Sequence, residues 1–227
     1  MSGPGPTVSV VIPAHQAACF LGEAIDSVLA QDRAPAEIVV VDDGSTDATS
    51  EVARSFGDRV RLLVHARNRG EAAARNTGLR AAEGEVVMMH DADDRMRPHR
   101  LQVEVGVLVE RGPATGCVLA RTRPFSDDGR DLPPWAGGDD DAYGNALVTA
   151  WRATYDRVGG YDESFPTGTD VDWLVRVRAA GLAVGLIDQV LTERRVHDGN
   201  LSELHPDGHR AYAVALRKLL AERRAAG

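Results

Sequence analysis

Residues 86–95 read VVMMHDADDR. Four apolar side chains run into His90, and three carboxylates follow at Asp91, Asp93 and Asp94. An apolar run of this length, bounded by turn residues, suits a strand buried on both faces, as in a parallel sheet. Carboxylates this close repel one another unless a cation or a hydrogen-bond donor sits between them. The strand therefore ends at a place where something else is expected. Three more runs share its texture: VSVVI at 8–12, EIVVV at 37–41 and VRLLV at 60–64.

Helical patterns lie between these runs. Phe20, Leu21, Ala24, Ile25, Val28 and Leu29 fall on one stripe at helical spacing. Residues 47–56 follow DDGSTD, whose Ser, Thr and Asp suit helix caps. Residues 69–82 are Ala-rich and end near Gly84. Alternating strand and helix predicts βαβ units and a doubly wound α/β sheet flanked by helices. A further helix is expected over 97–111, with Leu101, Val105 and Leu108 inward. Residues 121–145, rich in Pro, Gly and acid, read as a long surface loop, a length that usually signals function or disorder. A helix around 170–180, a short strand near 184–187, the polar segment TERRVHDGNLS and an Arg-rich helix over about 207–225 complete the chain.

The 227 residues suit one domain, with 43% apolar and 26% charged residues as in ordinary soluble proteins. A net charge of -8 argues against a nucleic-acid partner or nonspecific adhesion to anionic lipid. Cys19 and Cys117 match no metal spacing and read as reduced thiols of a cytoplasmic protein. MSGPGPT lacks the pattern of a signal peptide, and no apolar run approaches a membrane-spanning length. Peripheral membrane contact stays open.

Ligands of an open parallel sheet bind beyond the carboxyl ends of its strands. Three polar clusters follow predicted strands directly: Pro13, Ala14, His15 and Gln16; Asp42, Asp43, Gly44 and Ser45; and Asp91, Ala92, Asp93 and Asp94. They are expected to meet at one edge. Asp-x-Asp in an extended segment sets two carboxylates on one side, and hard cations such as Mg²⁺ or Mn²⁺ share such oxygens with substrate phosphates. Asp42 and Asp43 offer acceptors to a nucleoside. Arg75 offers a cation to a phosphate or carbonyl. A nucleoside diphosphate bridged by a metal fits all three clusters.

Taken in order, TVSVVIPAHQAACFLGEAIDSVLAQ, EIVVVDDGSTDAT, RNRGEAAARNTGL and GEVVMMHDADD resemble the family 2 glycosyltransferases of GT-A fold. The likeness covers about the first 105 residues and continues more weakly to about 203. It implies a Rossmann-like, mostly parallel sheet in a single domain. A disordered stretch at 1–6 would precede a nucleotide-sugar half at 7–112, an acceptor half at 113–204 and a C-terminal helix at 205–227. It implies that Pro13 and Ala14 open the donor pocket, that Asp43 binds the base (most often uracil) with Asp42 beside it, and that Arg75 faces the nucleotide. Asp91, next to Ala92, would meet the ribose or donor sugar, and Asp93 would ligate Mg²⁺ or Mn²⁺. Asp94 would support the site or cap a helix. His197 resembles a histidine that serves as a further metal ligand or a phosphate contact, and Arg194 and Arg195 would steady the diphosphate. His15 and His90 flank the pocket without an assigned role.

The resemblance further implies an inverting transfer from a UDP-sugar to an acceptor hydroxyl. Asp170, in GTDVDWLVRVRAAG, stands at the position of the general base. Thr169 precedes it where the family usually has Glu, and Asp172 is the fallback base. Two residues apart on a helix, only one of these acids faces the cleft. Trp173 suits the core or the floor of the acceptor site. The Q/R-x-x-R-W signature of processive members is absent from the sequence. Two rival readings remain. A sugar-nucleotide nucleotidyltransferase would want a basic first loop, and PAHQAACFLG has no Lys or Arg. A degenerate domain that only binds nucleotide or a partner would fit damage at Thr169, against the intact Asp91, Asp93 and Asp170.

Overall fold

The structure, a computed structural model, describes residues 5–129, 131–132, 147–165 and 168–200. Four parallel strands form one half of its sheet. They are β1 (Val8–Ala14), β2 (Glu37–Asp42), β3 (Arg61–Val64) and β4 (Val86–Met89), in the order β3-β2-β1-β4. Helices α1 (Leu21–Leu29), α2 (Thr49–Ser55) and α3 (Glu71–Ala81) make the crossovers. The order turns back on itself at β1, so the crevice beyond β1 and β4 is the topological switch point, where ligands of such sheets bind.

The apolar runs are continuous because both faces of the sheet are covered. Val10, Ile12, Ile38, Val40, Val86 and Met88 face Leu21, Ile25, Val28, Leu101, Val105 and Leu108. Their neighbours Val11, Val39, Val41, Val87 and Met89 face α3 and the aromatic cluster around Trp173 on the other side. Each such side chain, once fully buried, contributes roughly 1.5–3 kcal/mol. Edge strand β3 is the exception, half covered along its length, so VRLLV is less buried than its composition predicts. Gly78 lets α3 approach closely: a Cβ there would lie 2.3 Å from Val11 Cγ1.

Beyond β4 the sheet changes sense. Strand β7 (Thr149–Trp151) runs antiparallel to both β4 and β6 (Thr115–Phe125). Parallel to β6 lies β8 (Ala183–Arg195), and β5 (Arg95–Met96) closes the far edge antiparallel to β8. Helices α4 (Arg100–Arg111), α5 (Arg152–Val158) and α6 (Thr169–Ala179) complete the layers.

Two sequence expectations change here. Residues 121–125 belong to β6 and not to a loop, and the expected short strand at 184–187 runs on to Arg195. The cause is mutual pairing of β6 with β8, whose register shifts carry it to Pro124↔Arg194 and Phe125↔Arg195. The charges of TERR enter the sheet because they are paired: Arg97 with Glu193 at 3.2 Å, and Arg195 with Glu23 and Asp127. Strand β7 and helix α5 were not foreseen, being only three and seven residues long. Positions 130 and 133–145 of the expected loop, most of the N-terminal stretch and the helix at 207–225 lie outside the described residues.

Candidate functional site

The three strand-end clusters do meet at the switch point. Asp43 donates its backbone N–H to Ala14 O at 2.8 Å, and His90 donates its own to Val11 O at 2.9 Å. Pro13, Ala14 and Ala92 are buried beneath this edge. His15 is exposed, with Nδ1 3.0 Å from the Asp43 carbonyl. Gln16 carries a left-handed backbone at φ 52°. Its side chain repays that strain locally by accepting Thr46 N–H at 2.7 Å and Asp47 N–H at 3.3 Å, which locks two pocket loops together.

The Asp42–Asp43 pair divides its labour. Asp42 accepts Ser45 N–H at 2.9 Å and the Ser50 hydroxyl, so it orders its own turn. Within that turn Gly44 has φ 69°, and a Cβ would meet the Arg67 backbone at 2.3 Å. Asp43 reaches across to the loop after β3. Its Oδ1 accepts Arg69 N–H at 2.9 Å and lies 2.6 Å from His65 Nδ1; its Oδ2 accepts Gly70 N–H at 2.8 Å.

Oxygens of Asp91, Asp93 and Asp94 lie within 4.8 Å of one another. Asp93 Oδ2 lies 3.0 Å from His197 Nε2 and accepts from Asn200 Nδ2 at 3.1 Å. Because His197 Nδ1 accepts Gly199 N–H at 3.2 Å, the neutral ring carries its proton on Nε2 and donates it to Asp93. Asp94 is buried, and its Oδ1 accepts Arg195 N–H at 2.9 Å. Its Oδ2 has no hydrogen-bond partner among the described residues. Burial, followed by the charges of Asp93 and Asp91, pushes the Asp94 carboxyl well above the usual carboxylate range. Burial likewise raises Asp91, partly offset by Arg75. An oxygen-only cluster with an orphaned buried acceptor fits a hard divalent cation such as Mg²⁺ or Mn²⁺.

Arg75 stands on the other wall. Its Nη2 donates to Asp91 Oδ1 at 3.2 Å and forms an ion pair with Glu71 Oε1 at 2.7 Å, with the guanidinium over the Tyr161 ring. Asp170, in the first turn of α6, is partly exposed, and its charge is felt at Glu71, Arg75 and Tyr161. Asp172 turns elsewhere: it accepts from Arg176 Nε at 2.9 Å, and Arg176 also donates to Val158 O and Gly160 O. Thr169, where the family pattern departs, is buried, and its hydroxyl has no hydrogen-bond partner among the described residues. Trp173 is a core residue, fully buried and stacked on Tyr155.

Two expectations near the pocket need correction. Arg195 does not face a diphosphate. It is 3% exposed, donates Nε to Asp93 O at 2.8 Å, pairs with Glu23 and Asp127, and lies over Phe20 and Phe125. Arg194, its neighbour on β8, does act on Asp91 and Asp94: burial raises both carboxyls, and the Arg194 charge offsets a small part of that rise. His90 does not flank the pocket but lies in the core, 3.4 Å from Arg100 Nη1. Glu71, Asn76 and Asn200 were missed. Asn76 exchanges two 2.8 Å hydrogen bonds with the Tyr161 backbone and joins α3 to the acceptor-side loop. The i,i+4 spacing of Glu71 and Arg75 was the one local signal available.

This architecture, a mixed sheet with an acid cluster and a guanidinium across its switch point, is the GT-A fold. The family model for glycosyl transferase family 2 matches residues 9–170, and the chain belongs to that family. Its relatives include the succinoglycan biosynthesis protein ExoO of Rhizobium meliloti, 42% identical over 56% of this chain and 36% of that one. The putative teichuronic acid biosynthesis glycosyltransferase TuaG of Bacillus subtilis is 28% identical over 87% of this chain and 82% of its own. The chain spans less than half the length of the first curated relatives it matches. Among solved structures, S. aureus TarS 1–349 in complex with UDP-GlcNAc aligns with a TM-score of 0.69 and 20% identity, over 92% of this chain and 65% of that one. The mannosyltransferase PcManGT from Pyrobaculum calidifontis, in complex with GDP-Man and Mn²⁺, aligns at 0.68 and 23%, over 99% and 66%. No described helix is long and apolar enough to cross a membrane.

Proposed function

We propose that the chain transfers a sugar from a nucleoside-diphosphate sugar, with UDP as the first nucleotide to test, to an acceptor hydroxyl, with inversion at the anomeric carbon. The observation that carries this reading is the meeting of the Asp91–Asp93–Asp94 cluster with Arg75 at one edge of a family 2 chain, near enough to Asp170 for its charge to act on Arg75. Residues 7–112 supply the donor half and 113–204 the acceptor half. Pro13, Ala14 and Asp43 border the base, while Asp42 supports the Asp43 turn. Arg75, Asp91 and Ala92 line the ribose and diphosphate. Asp93, oriented by His197, holds Mg²⁺ or Mn²⁺ together with its acidic neighbours.

A bound divalent cation supplies a Lewis acid at the departing diphosphate. Asp170 accepts the acceptor proton as the hydroxyl oxygen bonds to the anomeric carbon. The bond from that carbon to the diphosphate breaks, and its electron pair leaves with the nucleotide. Arg75 holds Asp91 in place throughout. The test is calorimetric titration of UDP, GDP and dTDP, each with and without Mn²⁺, into wild type and Asp93→Ala. Binding of one nucleotide that needs both metal and Asp93 supports the reading. No metal-dependent binding of any of the three overturns it, and leaves a scaffold that binds something else.

A further inference from the structure

Glu71 has no part in the chemistry just described, yet it makes the closest contact to the Arg75 guanidinium. Its Oε1 lies 2.7 Å from Arg75 Nη2, the same nitrogen that reaches Asp91 at 3.2 Å. Arg75 Nε is buried and without a hydrogen-bond partner among the described residues. The guanidinium cannot drift away, because Tyr161 lies under it at 5.4 Å and the side chain is 5% exposed. Glu71 is more open, at 27%. A fixed cation is thus shared between one carboxylate of the acid cluster and one partly exposed carboxylate at the start of α3.

We propose that Glu71 competes with the donor's diphosphate for Arg75, so that the site binds its nucleotide sugar with Glu71 protonated or turned aside. This rests on the donor-site reading above. A diphosphate brings two negative charges to a crevice that already holds Asp91, Asp93 and Asp170. A further carboxylate on the guanidinium bonded to Asp91 opposes that charge directly. The groups that face Glu71 are Arg75 from its own helix, Asp91 and Asp93 from the turn after β4, and Asp170 from α6. Burial, countered by Arg75 and reinforced by those three acids, raises the Glu71 carboxyl to about 7. Below that pH Glu71 is neutral and releases Arg75; above it the charged form reclaims Arg75.

UDP-GlcNAc and GDP-Man, whose diphosphates carry no group titrating between pH 6 and 8, serve as probes with Mn²⁺. Their affinities are measured calorimetrically at both pH values for wild type, Glu71→Gln and Asp93→Ala. For whichever probe binds, wild-type affinity should fall by about tenfold from pH 6 to pH 8, as expected when a carboxyl that titrates near 7 must keep its proton on binding. Glu71→Gln keeps an acceptor for Arg75 without the charge, so its affinity should stay flat and exceed wild type at pH 8. Equal pH profiles for wild type and Glu71→Gln, with binding still lost in Asp93→Ala, overturn the role of Glu71 alone. Absence of binding in both wild type and Glu71→Gln at each pH overturns the donor-site reading and this inference together.

Discussion

His197 Nε2 lies 3.0 Å from Asp93 Oδ2, across 104 residues of sequence. The ring also packs on Phe20, with centroids 4.5 Å apart. Asn200 closes the arrangement by accepting His197 N–H at 2.7 Å and donating to the same Asp93 oxygen. The end of β8 thus orients the carboxylate expected to hold the cation.

Loss of an orienting partner weakens metal sites by about 10–100-fold. His197→Ala should therefore reduce Mn²⁺-dependent nucleotide affinity within that range, while Asp93→Ala abolishes it. Calorimetry with increasing Mn²⁺ separates the two, because excess metal should rescue His197→Ala only. Failure of the metal to rescue would make His197 a direct ligand.

Asp170 and Asp172 differ in what they touch, and their variants should differ accordingly. Asp170→Asn should lower turnover by about 10²–10⁴-fold, the usual contribution of a general base, with donor affinity retained. Asp172→Asn should leave turnover within a few fold and instead lower the melting temperature through Arg176. Turnover of a radiolabelled donor and a thermal melt decide between them. The reverse pattern would move the base to Asp172.

His90 predicts a pH dependence of stability. Burial, and then the nearby charge of Arg100, hold its pKa well below the ordinary histidine value. The folded chain keeps this ring neutral while the unfolded chain protonates it. Stability from this group is present above the unfolded pKa and is lost as pH falls. Between pH 6 and 5 the loss approaches about 1.4 kcal/mol per pH unit. His90→Asn retains an acceptor for Arg100 and should flatten the slope seen in urea unfolding; an unchanged slope would refute the assignment.

Arg100 and Glu104 form a fully buried pair at 3.0 Å, and Arg100 also donates to Met89 O at 3.2 Å and Leu147 O at 3.0 Å. Glu104 further accepts the Thr149 hydroxyl. Either single change, Arg100→Met or Glu104→Leu, should cost about 3–5 kcal/mol by leaving a buried charge unpaired. The double variant should recover much of that loss in urea unfolding. An additive double loss would show that the carbonyl contacts dominate.

The donor half was legible because its signals are local. Apolar runs, caps and an Asp-x-Asp following a strand are properties of ten or fewer neighbouring residues, and they located β1 to β4, α1 to α4 and the acid cluster. The second half resisted for the same reason. Strand β7 is too short to show a period, and β8 hides its burial behind Glu193, Arg194 and Arg195, whose partners come from other elements.

The sequence by itself determined a doubly wound α/β half with carboxylates at its strand ends, since burial on both faces leaves no other use for such continuous apolar runs. Only the tertiary structure decided what each charge does. Asp42 turned out to serve its own turn and Asp43 the loop after β3; Arg195 went to Glu23 and Asp127, and Glu71 to Arg75. Apart from the local turn of Asp42 and the i,i+4 pair of Glu71 with Arg75, these choices depend on which elements lie side by side. Sheet order and the register shifts of β6 on β8 bring together side chains up to 172 residues apart. No local pattern records such a meeting, because the energy of a buried charge is set by the partners that reach it.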